Sequence, residues 1–187
     1  EDQSEGFDRT SLDLPASHVE LIQAVAAGAQ RTVVVLSNGG VVSLEPWHDS
    51  VDAIVEAWAL GQAVGGALAD VLTGAVNPSG RLAETIPLRL EDTPSFLNFP
   101  GENEVVRYGE GVFVGYRYYA TADRPVRYPF GHGLSYTSFE HGSVQVTPAG
   151  PDSAVARVTV RNTGTAAGAD VVQLYVAPAD APVRRPR

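Results

Sequence analysis

The sequence of 187 residues holds no cysteine and no lysine; all 13 basic residues are arginine. Without cysteine there is no disulfide, no thiol catalysis and no cysteine-ligated zinc. Without lysine, Schiff-base chemistry and a lysine general base are excluded. The arginine bias, beside abundant Ala, Gly and Val, reads as the imprint of GC-rich coding rather than of a selected chemistry. Basic charge is scarce too: the formal net charge is −9, the wrong sign for a nucleic-acid face, so no nucleic acid is expected as a partner. No apolar run approaches the roughly 18 residues of a membrane-spanning helix, and no membrane partner is expected. The acidic start lacks the basic region and apolar stretch of a secretory signal; secreted and cytoplasmic locations both stay open, with secretion slightly favoured. GxSxG, HExxH and P-loop motifs are missing. His48 and His132 are too scattered for a metal site and no Asp-rich loop suggests calcium, so no metal and no cofactor is expected.

What is present is an ordinary globular composition, 44% hydrophobic with a mean hydropathy of −0.04. The length suits one sizeable core, or one domain plus a small one. Carboxylates are the obvious chemical resource, and about half of them should do no more than solvate the surface.

The stretch HVELIQAVAAGA has apolar residues at helical spacing, Val19, Ile22, Val25, Ala26 and Ala29, and Pro15 and Ser17 predict a helix starting near Ser17. The run Val33 to Leu36 predicts a strand buried on both faces, as in a parallel sheet. Val41 to Leu44 is a shorter apolar run closed by Pro46-Trp47. Val51 to Trp58 reads as a second strand. GQAVGGALADVLTGAV reads as a helix with a sharp exit at Asn77-Pro78-Ser79-Gly80. Helix, strand, strand and helix in this order is α/β logic. Residues 91–107 read as a long loop, of the kind that lines clefts. After about Ser143, SVQVTP, AVARVTVRNTG and ADVVQLYVAP alternate with period two, the grammar of a β-sandwich too short to close one.

The segments EGFDRTSLDLP, LGQAVGGALADVLTGAVNPSGRLAETIP, YGEGVFVGYRYY and YPFGHGLSYTSFE, in this order and spacing, resemble the C-terminal half of glycoside hydrolase family 3, the family of many β-glucosidases. RVTVRNTGTAAGADVVQLYV is similar to the start of the fibronectin type III-like domain that often follows. The resemblance covers nearly the whole sequence. It implies an α/β sandwich with a mostly parallel sheet flanked by helices at 1–120, an aromatic and Gly-rich linker at 121–142, and a partial fibronectin type III-like domain at 143–187.

The resemblance also implies chemistry. Family members are retaining glycosidases with a nucleophilic Asp on an N-terminal barrel, which this sequence does not include, and an acid/base Glu on the sandwich. Glu5 matches the Glu-Gly-x-Asp-Arg position, with Gly6, Asp8, Arg9, Leu14 and Pro15 alongside. The implied function is the general acid/base half of a site hydrolysing terminal non-reducing β-D-glucosyl residues. The alternative is a non-catalytic carbohydrate-binding or interaction module on a hydrolase-like scaffold. Expected partners are the barrel part of the same enzyme and a β-glucoside small molecule or oligosaccharide, including a glycosylated natural product such as a macrolide; a homodimer is left open. Substrate-binding residues are not assigned. Asp8 and Arg9 either act on Glu5 or serve structure, as a cap and a surface ion pair. NPSGRL, Glu110 in YGEG, His132 in FGHGLSY, and Tyr116, Tyr118 and Tyr119 read more readily as turn, joint and packing residues than as sugar contacts.

Overall fold

The structure, a computed structural model, describes residues 8–176. In chain order its elements are α1 (Ala16–Gly28), β1 (Val33–Leu36), β2 (Ala53–Glu56), α2 (Val64–Thr73), β3 (Ile86–Pro87), α3 (Tyr116–Ala122), β4 (Val126–Tyr128), β5 (Phe139–His141), β6 (Gln145–Gly150), β7 (Ser153–Arg157) and β8 (Val160–Asn162), with single 3-10 turns at His48–Ser50 and Leu90–Asp92. The fold is one of helices and small sheets. Among the described residues no helix is long and apolar enough to cross a membrane. Glu5, Gly6 and the terminal APVRRPR lie outside the described residues.

The described residues form two compact units. The first comprises residues 8–62 and 82–132 with 175 and 176. In it, α1 starts at Ala16 because Pro15 supplies a preset φ, and its carbonyl accepts from the N–H groups of His18 (2.9 Å) and Val19 (3.2 Å). Val19 and Ile22 pack on the core while Val25 and Leu21 on the same helix stay exposed. β1 and β2 pair in parallel, with Val33 opposite Ala53 and Leu36 opposite Glu56. The register is pinned at its start, where Asp52 Oδ2 accepts from the Thr32 N–H (2.7 Å) and the Asp52 N–H donates to the Thr32 carbonyl (2.9 Å). β1 is less enclosed than its sequence suggests, since Val33 is exposed and Leu36 alone is buried.

Parallel strands need a long crossover, and here residues 37–52 supply it without an α-helix. That crossover is where the core sits. Val41, Val42, Leu44 and Trp47 are buried together with Leu36 and Ile86, and Leu44 and Trp47 are each only 1% exposed. The run that reads as a short apolar stretch is therefore a buried loop, its backbone satisfied in part by the Ser43 N–H donating to the Leu12 carbonyl (2.7 Å). β3 and β4 pair antiparallel, Ile86 opposite Tyr128 and Pro87 opposite Val126. Two further bonds prolong that contact, Leu82 N–H to the His132 carbonyl and Gly131 N–H to the Leu82 carbonyl, both 2.8 Å.

The second unit comprises Ala63–Arg81 and Gly133–Leu174. α2 ends at Gly74, whose φ of 79° is the left-handed conformation that closes a helix, with the Val76 N–H donating back to the Asp70 carbonyl (3.0 Å). β5 pairs antiparallel with β8, and β6 with β7 as a hairpin. Both faces of that hairpin are exposed. Residues 171–176, expected as a further strand, adopt no regular strand. Alternation supplies a strand only when an edge is there to pair with it.

Candidate functional site

Glu5, the predicted proton donor, falls outside the described residues, but the segment that follows it is firmly held. Arg9 Nη2 donates to the Val41 carbonyl at 2.7 Å. Leu12 accepts from Ser43, Ser11 and Asp13 close a turn on each other (2.9 and 3.0 Å), and Leu14 packs against the core. Among the described residues the guanidinium of Arg9 is used on a backbone carbonyl of the buried loop. Asp8 is exposed and does not cap α1, which has no side-chain cap.

Beside that anchor, a polar cluster forms where β1 and β2 end. Sheets of this kind commonly place ligands outside the carboxyl ends of their parallel strands. Glu56, the last residue of β2, accepts from the Trp58 N–H at Oε1 (3.0 Å) and from Asn38 Nδ2 at Oε2 (3.4 Å). Asn38 Nδ2 also donates to the Gly40 carbonyl (2.8 Å), closing the turn that leads into Val41. Trp58 stands at φ 51°, a conformation bulky residues rarely adopt. Burial holds the Glu56 carboxyl above its ordinary pKa, with Glu84 adding repulsion; the bonds from Trp58 and Asn38 offset part of this. Sequence reasoning passed over Glu56 as one residue of an apolar strand. The available signal was an acid closing a strand that otherwise reads AIV.

An open cleft of about 670 Å³ lies in the same unit, lined by Arg9, Gly40 and Val41 on one side and by Glu84, Tyr116 and Phe130 on others. Tyr116 stacks on Phe130 with centroids 4.7 Å apart. Tyr119 is buried, and burial pushes its phenol up to about 12, so it stays neutral as a packing residue. A smaller hollow of about 330 Å³ is lined by Asn98, Glu110, Phe113 and Tyr118. Glu110 Oε2 is buried there, with no hydrogen-bond partner among the described residues.

The remaining singled-out residues make local packing and hydrogen-bond contacts. His132 stacks on Tyr128 (centroids 4.5 Å), whose hydroxyl meets His48 Nε2 at 2.6 Å. Arg127 grips Glu45 with two bonds of 2.7 and 2.6 Å, and this pairing holds the Glu45 carboxyl below its usual range. In the second unit, Asn77 Oδ1 accepts from Ser135 Oγ (3.0 Å) and the Tyr136 N–H (2.8 Å), and its amide donates to the Ala167 carbonyl (2.9 Å). Arg81 pairs with Asp170, which also meets His141 Nε2 at 2.9 Å. NPSGRL and HGLSYT are therefore two halves of one joint. Among the described residues, no group of three or more His, Asp or Glu side chains is arranged to hold a metal ion.

Residues 1–136 match the glycosyl hydrolase family 3 C-terminal domain. The chain belongs to glycosyl hydrolase family 3. It is 52% identical over 185 residues to an exo-alpha-(1->6)-L-arabinopyranosidase of Bifidobacterium longum, covering 99% of this chain and 24% of that protein. Its fold is similar to the crystal structure of a Bifidobacterium adolescentis family 3 beta-glucosidase, at 56% identity and a TM-score of 0.92, covering 98% of this chain and 27% of that one. It is also similar to a beta-glucosidase of Kluyveromyces marxianus solved in complex with glucose, at 45% identity and a TM-score of 0.89, covering 97% and 22%. The family 3 chain thus spans about a quarter of the length of the curated relatives it matches.

Proposed function

We propose that this chain is the acid/base part of a retaining β-glycosidase that acts on terminal non-reducing β-D-glucosyl residues, with Glu5 as the proton donor. The nucleophile is an Asp on a barrel belonging to the same polypeptide. The observation that carries this reading is the anchoring of the segment just after Glu5, through Arg9 and Leu12, to the loop bordering the 670 Å³ cleft. A proton donor must be held in place, and a tether a few residues away on a buried loop supports that reading.

Retention needs two carboxyls about 5–5.5 Å apart, one to attack the anomeric carbon and one to protonate the leaving oxygen. The donor starts protonated, which asks for a pKa raised toward neutral, and then takes a proton from water in the second step. In the same proposal residues 1–120 are the family's α/β sandwich, 121–142 a linker, and 143–187 the beginning of a fibronectin type III-like domain. The substrate is an aryl or alkyl β-glucoside or an oligosaccharide, the glucose complex of the Kluyveromyces relative favouring a glucosyl unit. α-L-arabinopyranosides, named for the Bifidobacterium longum relative, also carry an equatorial glycosidic bond, so one donor geometry serves both.

The test is Glu5→Gln in the full-length enzyme. Hydrolysis of an alkyl β-glucoside is expected to fall about 10²–10⁴-fold, far more than that of an aryl glucoside with an activated leaving group, and azide should restore turnover of the latter. An unchanged rate removes Glu5 from the role. The 187-residue polypeptide alone is expected to hydrolyse nothing.

A further inference from the structure

The loop of residues 93–114 is closed on itself turn by turn. The Phe96 N–H donates to the Thr93 carbonyl (3.2 Å), and those of Asn98 and Phe99 both reach the Ser95 carbonyl (2.8 and 2.9 Å). At the tip Glu102 and Val105 exchange two backbone bonds of 3.1 and 3.0 Å. On the returning limb the Gly111 N–H meets the Tyr108 carbonyl (3.1 Å) and the Phe113 N–H meets the Glu110 carbonyl (3.0 Å). The two limbs touch, since a Cβ on Gly109 would lie 2.7 Å from Asn98 Oδ1. Both limbs also line the 330 Å³ hollow against Tyr118 of α3. A loop this well ordered would be expected to bury its apolar side chains, yet Phe96, Leu97, Phe99, Val105, Tyr108 and Val112 are all exposed, Leu97 by 90% and Tyr108 by 82%. Leu97 and Tyr108 each adjoin one side of the contact between Asn98 and Gly109. Single exposed apolar residues are ordinary, but six on one ordered loop mark a surface made for another protein surface.

We propose that this loop is a docking surface for the part of the same polypeptide that precedes residue 1, which covers Leu97 and Tyr108 with apolar side chains and meets the tip with basic ones. This rests on the reading of the chain as one portion of a longer glycosidase with an N-terminal barrel. The chain spans 24% of the length of the Bifidobacterium longum relative, and residues 1–136 match a C-terminal domain. Most of such a polypeptide is therefore available as the occupant. Charge disfavours a second copy of this chain in that place. Glu102 and Glu104 are exposed at the tip and outnumber Arg107, and a two-fold contact sets a patch against itself, acid near acid. A loop already fixed by its own turns loses little freedom when it is covered. The hollow between its limbs is a concave seat for one inserted side chain.

The experiment uses the full-length enzyme with the photoreactive residue p-benzoylphenylalanine at position 97 or 108, irradiated and digested for mass spectrometry. The expected product is a cross-link to a peptide from ahead of residue 1 in the same polypeptide. Leu97→Asp and Tyr108→Asp each put a charge into the contact and are expected to lower the unfolding temperature of the full-length enzyme by at least about 2 °C. Both side chains are exposed within the chain itself, so such a loss does not come from its own core. Cross-links that join two copies would overturn the proposal in favour of a dimer contact. Cross-links confined to residues 1–187, or none at either position, would overturn it in favour of a free surface, as would unchanged unfolding temperatures for both variants. A mature enzyme whose intact mass leaves nothing ahead of residue 1 would instead remove the longer-polypeptide reading on which the occupant depends.

Discussion

The guanidinium of Arg81 and the carboxylate of Asp170 meet at 2.6 Å, with their side chains only 13% and 10% exposed. Arg81 also donates to the carbonyls of Ser79 (3.3 Å) and Gly80 (3.0 Å), so one side chain closes its own turn and holds a segment far along the sequence. Burial pushes the Asp170 carboxyl up, but the Val171 N–H, Arg81 and His141 outweigh it and hold the group below its ordinary value. Removing the cation from a shielded pair leaves a charge poorly solvated. Arg81→Ala is expected to destabilise the protein by about 2–3 kcal/mol, with Arg81→Lys recovering part of that. Thermal unfolding of the two variants side by side measures it.

Trp47 sits at the centre of the first unit's core, 1% exposed. Trp47→Ala should cost about 3–5 kcal/mol, and Trp47→Phe distinctly less because most of the volume is kept. Denaturant midpoints at unchanged slope would check this. A loss under 1 kcal/mol for the alanine variant would show that the core lies elsewhere.

Gly133 has a different reason to be invariant under substitution. A Cβ there would come within 2.6 Å of the Gly80 carbonyl oxygen and 2.8 Å of Arg81 Cδ. Backbone cannot retreat as a flexible side chain can, so Gly133→Ala should cost about 1–3 kcal/mol. Gly61→Ala, which meets nothing within 4 Å, is the control and should be close to neutral.

Glu56 gives stability an unusual pH dependence. Its folded pKa lies above the ordinary 4.5, so the folded form binds a proton more readily than the unfolded chain. Its contribution to stability therefore falls as pH rises from about 4.5 through the folded pKa, and returns on acidification. Glu56→Gln should flatten this part of the stability profile. Unfolding temperatures across that window, for the two proteins together, would show a flatter line in the variant or refute the assignment.

Local pattern carried much of the first unit. The spacing of Val19 and Ile22 marked α1, which begins at Ala16, one residue before the expected start, and the apolar run at Val33–Leu36 is β1 at the same bounds. The helix α3 gave no such signal: YRYYATA is short and rich in aromatics, and it is held by the turn at Gly115 (φ 50°) and by burial of Tyr119. Residues 171–176 show the opposite case, where alternation is present and the strand is not. Glu56 and Asn38 were invisible as a pair because 18 positions separate them, and parallel pairing of β1 with β2 is what brings them together. The joint of Asn77, Ser135 and Tyr136 was legible only as two turns, since nothing in either turn points to the other.

The crossover between the parallel strands carries the most buried side chains of its unit and also the carbonyl that Arg9 grips. Heat tolerance and the seating of the Arg9 segment therefore depend on the same few residues. Repacking 41–47 for a higher working temperature would also move the carbonyl on which Arg9 docks. The hairpin of β6 and β7, exposed on both faces, offers a place to change solubility, attach a label or tether the protein to a support while that loop is left alone.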